Sequence, residues 1–266
     1  MPELPDVARL KQYFDATSLH QRIRKSSVRD ERIVEGVSRQ RLYSRLKRAE
    51  FEQTTRHGKF LFAGLTGGEW LVLHFGMSGE LHYFQEGNGL PEYTKVVFMF
   101  ENGRSLAYVS RRMLGRVGLT DDLDAFLEAE DLGPDALAED LTRERFRRAL
   151  AGRRGALKPL LMSQSVVAGI GNIYADEILF QTRLRPEVRA DRLSDEDVDR
   201  LYAAMRRVLR TAVRHGAEAP ELPEGYLLPA RDRDGPCPRC GGRLRTKTVS
   251  GRTAYYCPRC QKGPTA

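Results

Sequence analysis

The chain has 266 residues, of which 41% are hydrophobic and 30% charged, with a formal net charge of +8 at pH 7. That length holds one large or two ordinary domains with real cores, and the balance excludes a disordered chain. No apolar run approaches membrane-spanning length, and no basic, apolar and small-residue succession marks a signal peptide. The positive excess suits a polyanionic partner such as nucleic acid, with ribosomal contact or plain solubility as the other readings of charge alone.

The first residues read MPELPDVARLKQYFDATSL. Val7, Leu10 and Phe14 fall at helical spacing, so a helix is expected to start near Pro5, where a missing N–H costs nothing. Met1 precedes a small residue, and its removal would leave Pro2 at the chain start. An N-terminal proline is a secondary amine, unprotonated to a sizeable extent near neutrality. Attack by such an amine on a sugar C1′ gives a cationic iminium, an electron sink for elimination. Glu3 beside it is a candidate general acid–base partner. A plain helix lead-in is the bland reading.

Residues 21 to 119 change character. Short segments (RAEFEQTTRH, KFLFAGL, EWLVLHFG, ELHYF, KVVFMF, SLAYVS, GRVGL) alternate with turn-like separators (HG, TGG, GMSG, ENG). Six to eight strands at this spacing predict an antiparallel sandwich or barrel. RHGK puts Lys59 at a hairpin tip, where a lysine is most often a solubility charge. HFGMSGE puts His74 and Met77 around another turn, and Met77 alone reads as core. RRMLG sets Arg111 and Arg112 before Leu114. Arginine beside an apolar wedge can fill the gap left by an extruded base, although adjacent arginines are commoner as surface charge.

Near Asp131 the pattern switches, with LGPDAL as a punctuated linker. ALAEDLTRERFRRALAG, ALKPLLMSQ, GNIYADEILFQTR and SDEDVDRLYAAMRRVLRTAVRHG all read as helices. In the last, Val198, Leu201, Tyr202, Met205, Val208, Leu209, Ala212 and Val213 form one stripe. Arg206, Arg207, Arg210 and Arg214 lie largely off it and read as a solvated face. Ser194 is the expected N-cap and Gly216 the expected residue past the C-terminus. In VVAGIGN, Gly169 and Gly171 permit tight turns and put Asn172 at the N-cap of the outgoing helix. Such a helix N-terminus is a phosphate site, or else a helix–turn–helix without a ligand. The expected domains are 1–130, 131–220 and, as loop and C-terminal module, 221–266.

All four cysteines lie at the end, as CPRC, sixteen residues, then CPRC. Cys237, Cys240, Cys257 and Cys260 are two thiolate pairs at tight turns, the pattern of one closed structural Zn²⁺ site; a pair of disulfides or unrelated cysteines are the alternatives. LRTKTVSGRTAYY between them reads as a hairpin turning at Ser250-Gly251, with Arg252 at the turn. Arg243, Arg245, Lys247 and Arg259 add charge that suits phosphate. With every cysteine in that site, a cytoplasmic protein is expected.

Taken in order, MPELPD, RHGK, HFGMSG, KPLLMSQ, GIGNIYADEILF and GRTAYYCPRC resemble the formamidopyrimidine-DNA glycosylase/endonuclease VIII family. The resemblance runs from end to end of the chain. It implies an α+β fold: an N-terminal helix with an antiparallel β-sandwich, a helical domain with a helix–two-turns–helix motif, and a zinc ribbon. It implies a monomer that binds duplex DNA with a damaged or abasic nucleotide, excises oxidised bases and then cuts the strand. By the same resemblance Pro2 is the nucleophile, Glu3 protonates the opening sugar, and Lys59 contacts the flanking phosphate. Asn172 and Arg252 would hold the same backbone, and Lys158 would handle base or phosphate. Met77, Arg112 and Leu114 match the trio inserted into the duplex, and Asp6, His74 and Tyr174 fall on DNA-binding positions. A non-catalytic binder of damaged or distorted DNA on the same scaffold is the rival reading.

Four departures stand out. Asp6 replaces a glutamate, Ser110 and Ser163 replace aspartates, and Leu114 replaces a phenylalanine. The segment from Gly216 to Gly235 is compact and proline-rich, with Tyr226 as its one aromatic. The expectation is therefore poor capping of 8-oxoguanine, with ring-opened purines, oxidised pyrimidines or abasic sugars as the candidate substrates.

Overall fold

Helix α1 (Leu4–Ser18) begins where the spacing of Val7, Leu10 and Phe14 predicts, and all three are buried. Pro5 is the second residue of its first turn. The computed structural model describes residues 2–264; Met1, on whose removal the proline chemistry depends, lies outside them. The chain forms two units: Pro2 with residues 6–130, and Glu3–Pro5 with the chain from Asp131 onward.

The first unit holds eight strands: β1 (Ile23–Val28), β2 (Phe51–His57), β3 (Phe60–Leu65), β4 (Trp70–His74), β5 (Gly79–Gln85), β6 (Thr94–Phe100), β7 (Arg104–Ser110) and β8 (Arg116–Thr120). They make two four-stranded sheets, β1-β6-β7-β5 and β2-β3-β4-β8, antiparallel throughout. Phe51 on β2 meets Phe14, Phe98 and Phe100 edge-on at centroid distances of 4.9, 5.9 and 6.4 Å. The two sheets therefore share one core, and the expected sandwich is present. Two helices, α2 (Arg39–Leu46) and α3 (Leu123–Ala129), and strand β1 were not expected from the pattern. α2 buries only Leu42 and Leu46 and owes its start to the Ser38 side chain, which accepts from the Arg41 N–H at 3.2 Å. β1 (IRKSSV) is too polar to show a period.

The second unit contains α4 (Arg143–Leu150), α5 (Leu157–Met162), α6 (Asn172–Thr182), α7 (Asp195–Arg214) and the hairpin β9 (Arg245–Val249) and β10 (Arg252–Tyr256). α7 has the expected ends. Ser194 and Asp197 form a reciprocal capping box, and Gly216 (φ +63°) lets Ala217 donate to the Ala212 carbonyl at 2.8 Å. Its apolar stripe enters a core with Leu4, Phe146, Leu161 and Ile178. Arg206 departs from the solvated-face expectation: it donates to the Ala138 carbonyl at 2.7 Å and lies over the Tyr202 ring. α4 is shorter than expected, because the Thr142 hydroxyl caps the Arg145 N–H and starts the helix seven residues late. No helix among the described residues is long and apolar enough to cross a membrane.

Candidate active site and nucleic-acid interface

α6 begins at Asn172 with Gly171 as its N-cap, one residue earlier than the expectation that Asn172 caps it. The four leading N–H groups of a helix lack intrahelical partners and attract an anion. Here the anion is Glu3. Its Oε2 accepts from the Gly171 and Tyr174 N–H groups at 2.7 and 3.1 Å, and its Oε1 from Ile173 at 2.8 Å. The slot expected to take a phosphate is thus filled by the chain's own carboxylate, and Glu3 is 1% exposed.

The sequence dictates this slot through two glycines and a glutamine. Leu4 donates to the Gly169 carbonyl at 2.9 Å, which fixes the residue after Glu3. Gly169 sits at φ +111° and a Cβ there would meet the Leu4 side chain at 2.6 Å. A Cβ on Gly171 would lie 2.4 Å from the Glu3 carboxyl carbon. Gln164 braces the loop from within: it donates to the Met162 and Ile170 carbonyls and accepts from the Gly169 N–H. The residue motifs pointed to both glycines, but not to Gln164. The Asn172 side chain leaves Oδ1 buried with no hydrogen-bond partner.

In the first unit, Asp6 is half-buried in the first turn of α1. Lys59 follows the β2–β3 turn at Gly58 (φ +55°) and is only 8% exposed, so it is not a solubility charge. His74 ends β4 with its ring 4.9 Å from that of Phe60. Burial first, then the charges of Arg116 and Lys59, push its imidazole down to about 4, so it is a neutral group near pH 7. Met77 and Leu114 are 39% and 54% exposed, which corrects the core reading of Met77. Their turns abut: a Cβ on Gly76 would meet the Leu114 carbonyl carbon at 2.2 Å, and Arg112 donates its N–H to Ser78 at 3.1 Å. An arginine and two apolar side chains thus share one exposed corner. Ser110 beside it keeps a buried Oγ without a partner.

Two residues expected at DNA-binding positions, Lys158 and Tyr174, are buried. Lys158 is fully buried; its ammonium donates to Asp176 Oδ1 at 2.6 Å and to the Thr253 carbonyl at 2.7 Å. Asp176 also accepts from the Arg231 guanidinium at 2.9 Å and from the Tyr255 N–H at 3.2 Å. Burial pulls the Lys158 ammonium down and the Asp176 carboxyl up, and their mutual attraction opposes both. Lys158 therefore ties α5 to α6 and to the ribbon. The Tyr174 ring is likewise buried in the helical core. Arg252, in contrast, is exposed at the start of β10 and pairs with Val249 across the Ser250-Gly251 turn.

The four cysteine sulfurs lie within 4.8 Å of one another. Cys237 and Cys260 are 3.8 Å apart and Cys240 and Cys257 3.6 Å apart. Thiolates bound tetrahedrally to one zinc at ~2.3 Å sit about 3.8 Å from each other, whereas a disulfide needs ~2.05 Å. The donor set therefore fits one structural zinc and excludes the disulfide alternative.

Residues 1–117 match the family model of the formamidopyrimidine-DNA glycosylase N-terminal domain, and residues 132–222 match its H2TH domain. Residues 235–263 match the zinc finger found in that glycosylase and in isoleucyl-tRNA synthetase. The chain belongs to the formamidopyrimidine-DNA glycosylase family. It is 34% identical to the formamidopyrimidine-DNA glycosylase of Pelotomaculum thermopropionicum, covering 98% of this chain and 99% of that one. It is 35% identical to that of Heliobacterium modesticaldum, over 98% and 100% of the two chains. The structure matches the Lactococcus lactis glycosylase bound non-covalently to AP-site DNA with TM-score 0.90 and 25% identity, over 98% and 99% of the two chains. It matches MutM in complex with carbocyclic 8-oxo-G containing DNA equally well, at TM-score 0.90 and 25% identity over 98% and 100%. The α+β architecture, the glycosylase family and the zinc-ribbon module expected from the motifs are thereby established.

One buried group that the motifs passed over matters to this family member. Glu177 on α6 accepts from the Leu228 N–H and from Gln181, both at 2.8 Å, and burial pushes its carboxyl up to about 7. The folded value lies above the ordinary 4.5, so the protonated form is favoured in the fold. Its stabilising contribution is full below pH ~4.5 and is lost as pH rises through ~7, a span worth about 3 kcal/mol. Glu177→Gln should gain stability relative to wild type across that span in denaturant titrations. A constant difference between the two at all pH values would contradict the assignment.

Proposed function

We propose that this glycosylase-family member removes damaged bases from duplex DNA and then cuts the strand at the resulting abasic site, with Pro2 as nucleophile. The observation that carries the proposal is the Glu3 carboxylate, adjacent in the chain to Pro2 and held by three backbone N–H groups. These three donors hold the carboxylate in one fixed position, next in the chain to the Pro2 nitrogen. As the Pro2 nitrogen attacks C1′ and the base departs, Glu3 receives the amine proton and returns it to the ring oxygen as the sugar opens. The iminium then acidifies the 2′ position. Loss of that proton expels the 3′ phosphate, and a second elimination expels the 5′ phosphate. No metal acts in these steps; zinc holds the ribbon.

The DNA contacts combine exposed groups (Arg252, Arg112, Met77, Leu114) with the less accessible Asn172 and Lys59. Arg252 and Asn172 on the second unit and Lys59 on the first grip phosphates, and Met77, Arg112 and Leu114 fill the space of the extruded nucleotide. The neutral His74 supplies a hydrogen bond at this surface, and Asp6 supports the N-terminal turn. The segment from Gly216 to Gly235 is tied down by Glu177–Leu228, Arg231–Asp176 and the Gln181 bond to the Gly225 carbonyl at 3.1 Å. A segment anchored in this way does not supply a mobile cap, which favours ring-opened purines, oxidised pyrimidines and abasic sugars over 8-oxoguanine.

Borohydride should trap a covalent adduct between the mature protein and an abasic duplex. Absence of the adduct in protein whose Pro2 is shown by mass to be the free N-terminus would sink the lyase proposal. Glu3→Gln should lower base excision by about 10²–10⁴-fold while abasic cleavage falls far less. Equal loss of both would refute the proton-shuttle role.

A further inference from the structure

The C-terminal end of α6 faces away from the slot that holds Glu3, about 16 Å along the helix. There the second unit carries a concavity of about 540 Å³, walled by α6, α7 and the second cysteine turn. A second hollow of about 330 Å³ shares Thr182, Arg183 and Arg200 with it and extends to Arg207. Together they form a groove with six cationic side chains: Arg183, Arg200, Arg207, Arg239, Arg259 and Lys262.

The charge balance in the groove is one-sided. Arg200 pairs with Asp197. Arg239 is stacked 4.4 Å over the Phe180 ring and donates to two neutral acceptors, the Phe180 carbonyl at 3.0 Å and Gln181 Oε1 at 3.3 Å. Arg183, Arg207, Arg259 and Lys262 have no carboxylate within ion-pair distance among the described residues. A zinc ion held by four thiolates contributes about two negative charges beside Cys260, which still leaves an excess of about three positive charges. Concave walls of one sign concentrate the field and attract a polyanion.

The walls are also fixed in place. Lys262 donates its N–H to the Arg183 carbonyl at 2.8 Å, and Arg185 donates to the Lys262 carbonyl at 3.0 Å. The buried Gln261 accepts from the Cys257 N–H and donates to the Leu184 carbonyl, both at 2.8 Å. The cationic side chains therefore project from a backbone that joins the helices to the ribbon.

We propose that this groove is a second nucleic-acid site, which grips the phosphates of an undamaged DNA segment while the lesion site holds another. Two sites on one protein allow it to pass from one segment to the next without entering free solution. The proposal rests on the DNA-repair reading above but is tested by binding alone, so failure of catalysis and failure of the groove are separable. Wild type is loaded on a short fluorescent duplex containing an abasic-site analogue, and its dissociation is followed as undamaged duplex is added. The rate is expected to rise severalfold with competitor concentration. The variant R183E/K262E should dissociate at a rate independent of competitor, with zinc content, melting temperature and cutting of a short lesion duplex unchanged. Its salt slope for binding undamaged duplex should be shallower by about two. Competitor-independent dissociation of the wild type, or unchanged acceleration in the variant, would overturn the proposal. Inorganic tripolyphosphate provides the second arm: saturable binding of tripolyphosphate without any acceleration by duplex would mark a free-polyphosphate site and overturn it as well.

Discussion

Gly171→Ala is expected to suppress base excision by about 10²–10⁴-fold, as much as loss of a positioned acid–base group does. The backbone at Gly171 has φ −127°, a value any residue adopts, so alanine brings no backbone strain. The whole effect falls on Glu3, because the new Cβ would lie 2.4 Å from the carboxyl carbon and Oε1. The carboxylate must leave its slot, and three amide N–H groups lose their acceptor. Each orphaned donor costs about 1–3 kcal/mol unless water replaces it, so a moderate loss of stability accompanies the loss of excision. Cleavage of a pre-formed abasic duplex should be much less affected, since Pro2 is untouched. Parallel assays on a lesion duplex and an abasic duplex decide the matter. Excision within threefold of wild type would show that Glu3 does not act from the observed position.

Removal of zinc is the second large effect. Chelation, or Cys257→Ser, should unfold the ribbon and weaken binding to lesion duplex by about 100-fold through loss of the Arg252 contact. The ribbon's own apolar cluster is Phe180, Leu227, Cys237, Leu244 and Cys257, and two of those five residues are metal ligands. Without the metal little remains to hold it, and structural zinc in such peptides contributes roughly 10–16 kcal/mol. Loss of the ribbon also strips the Thr253 carbonyl from Lys158 and the Tyr255 N–H from Asp176. The helical core contains no ribbon residue, so α4 to α7 should stay folded. Helical circular dichroism preserved alongside lost DNA affinity is the expected pair of results. Retained affinity after complete zinc release would refute the role given to Arg252.

What the sequence made legible was what is local. The stripe of α7 and the run FLFAGL of β3 declare themselves because burial follows their period or fills them entirely. The zinc site was legible because its four ligands fall within two short turns. α4 was misjudged at its start because one capping hydroxyl on Thr142 outweighs the helical spacing before it. The site's decisive contacts are remote in sequence. Glu3 and Gly171 are 168 residues apart, and Lys158 and Thr253 are 95 apart. A lysine in KPLL shows its charge in the sequence but not its neighbours. Only the fold reveals that Asp176 and a ribbon carbonyl surround it, so the buried tie that Lys158 makes was not legible in the sequence.

The same long separations set the order in which the enzyme becomes competent during synthesis. Glu3 leaves the ribosome long before Gly171, Ile173 and Tyr174, whose amides hold it. Domains emerge and fold from the N-terminus onward, so the sandwich can form while the carboxylate still lacks its seat. α6 in turn gains contacts from residues made well after it, since Thr253 adds an acceptor for Lys158 and Tyr255 a donor for Asp176. A nascent chain therefore carries Glu3 through the synthesis of some 168 further residues before its seat exists, and that seat lies on an eleven-residue helix that the ribbon also contacts.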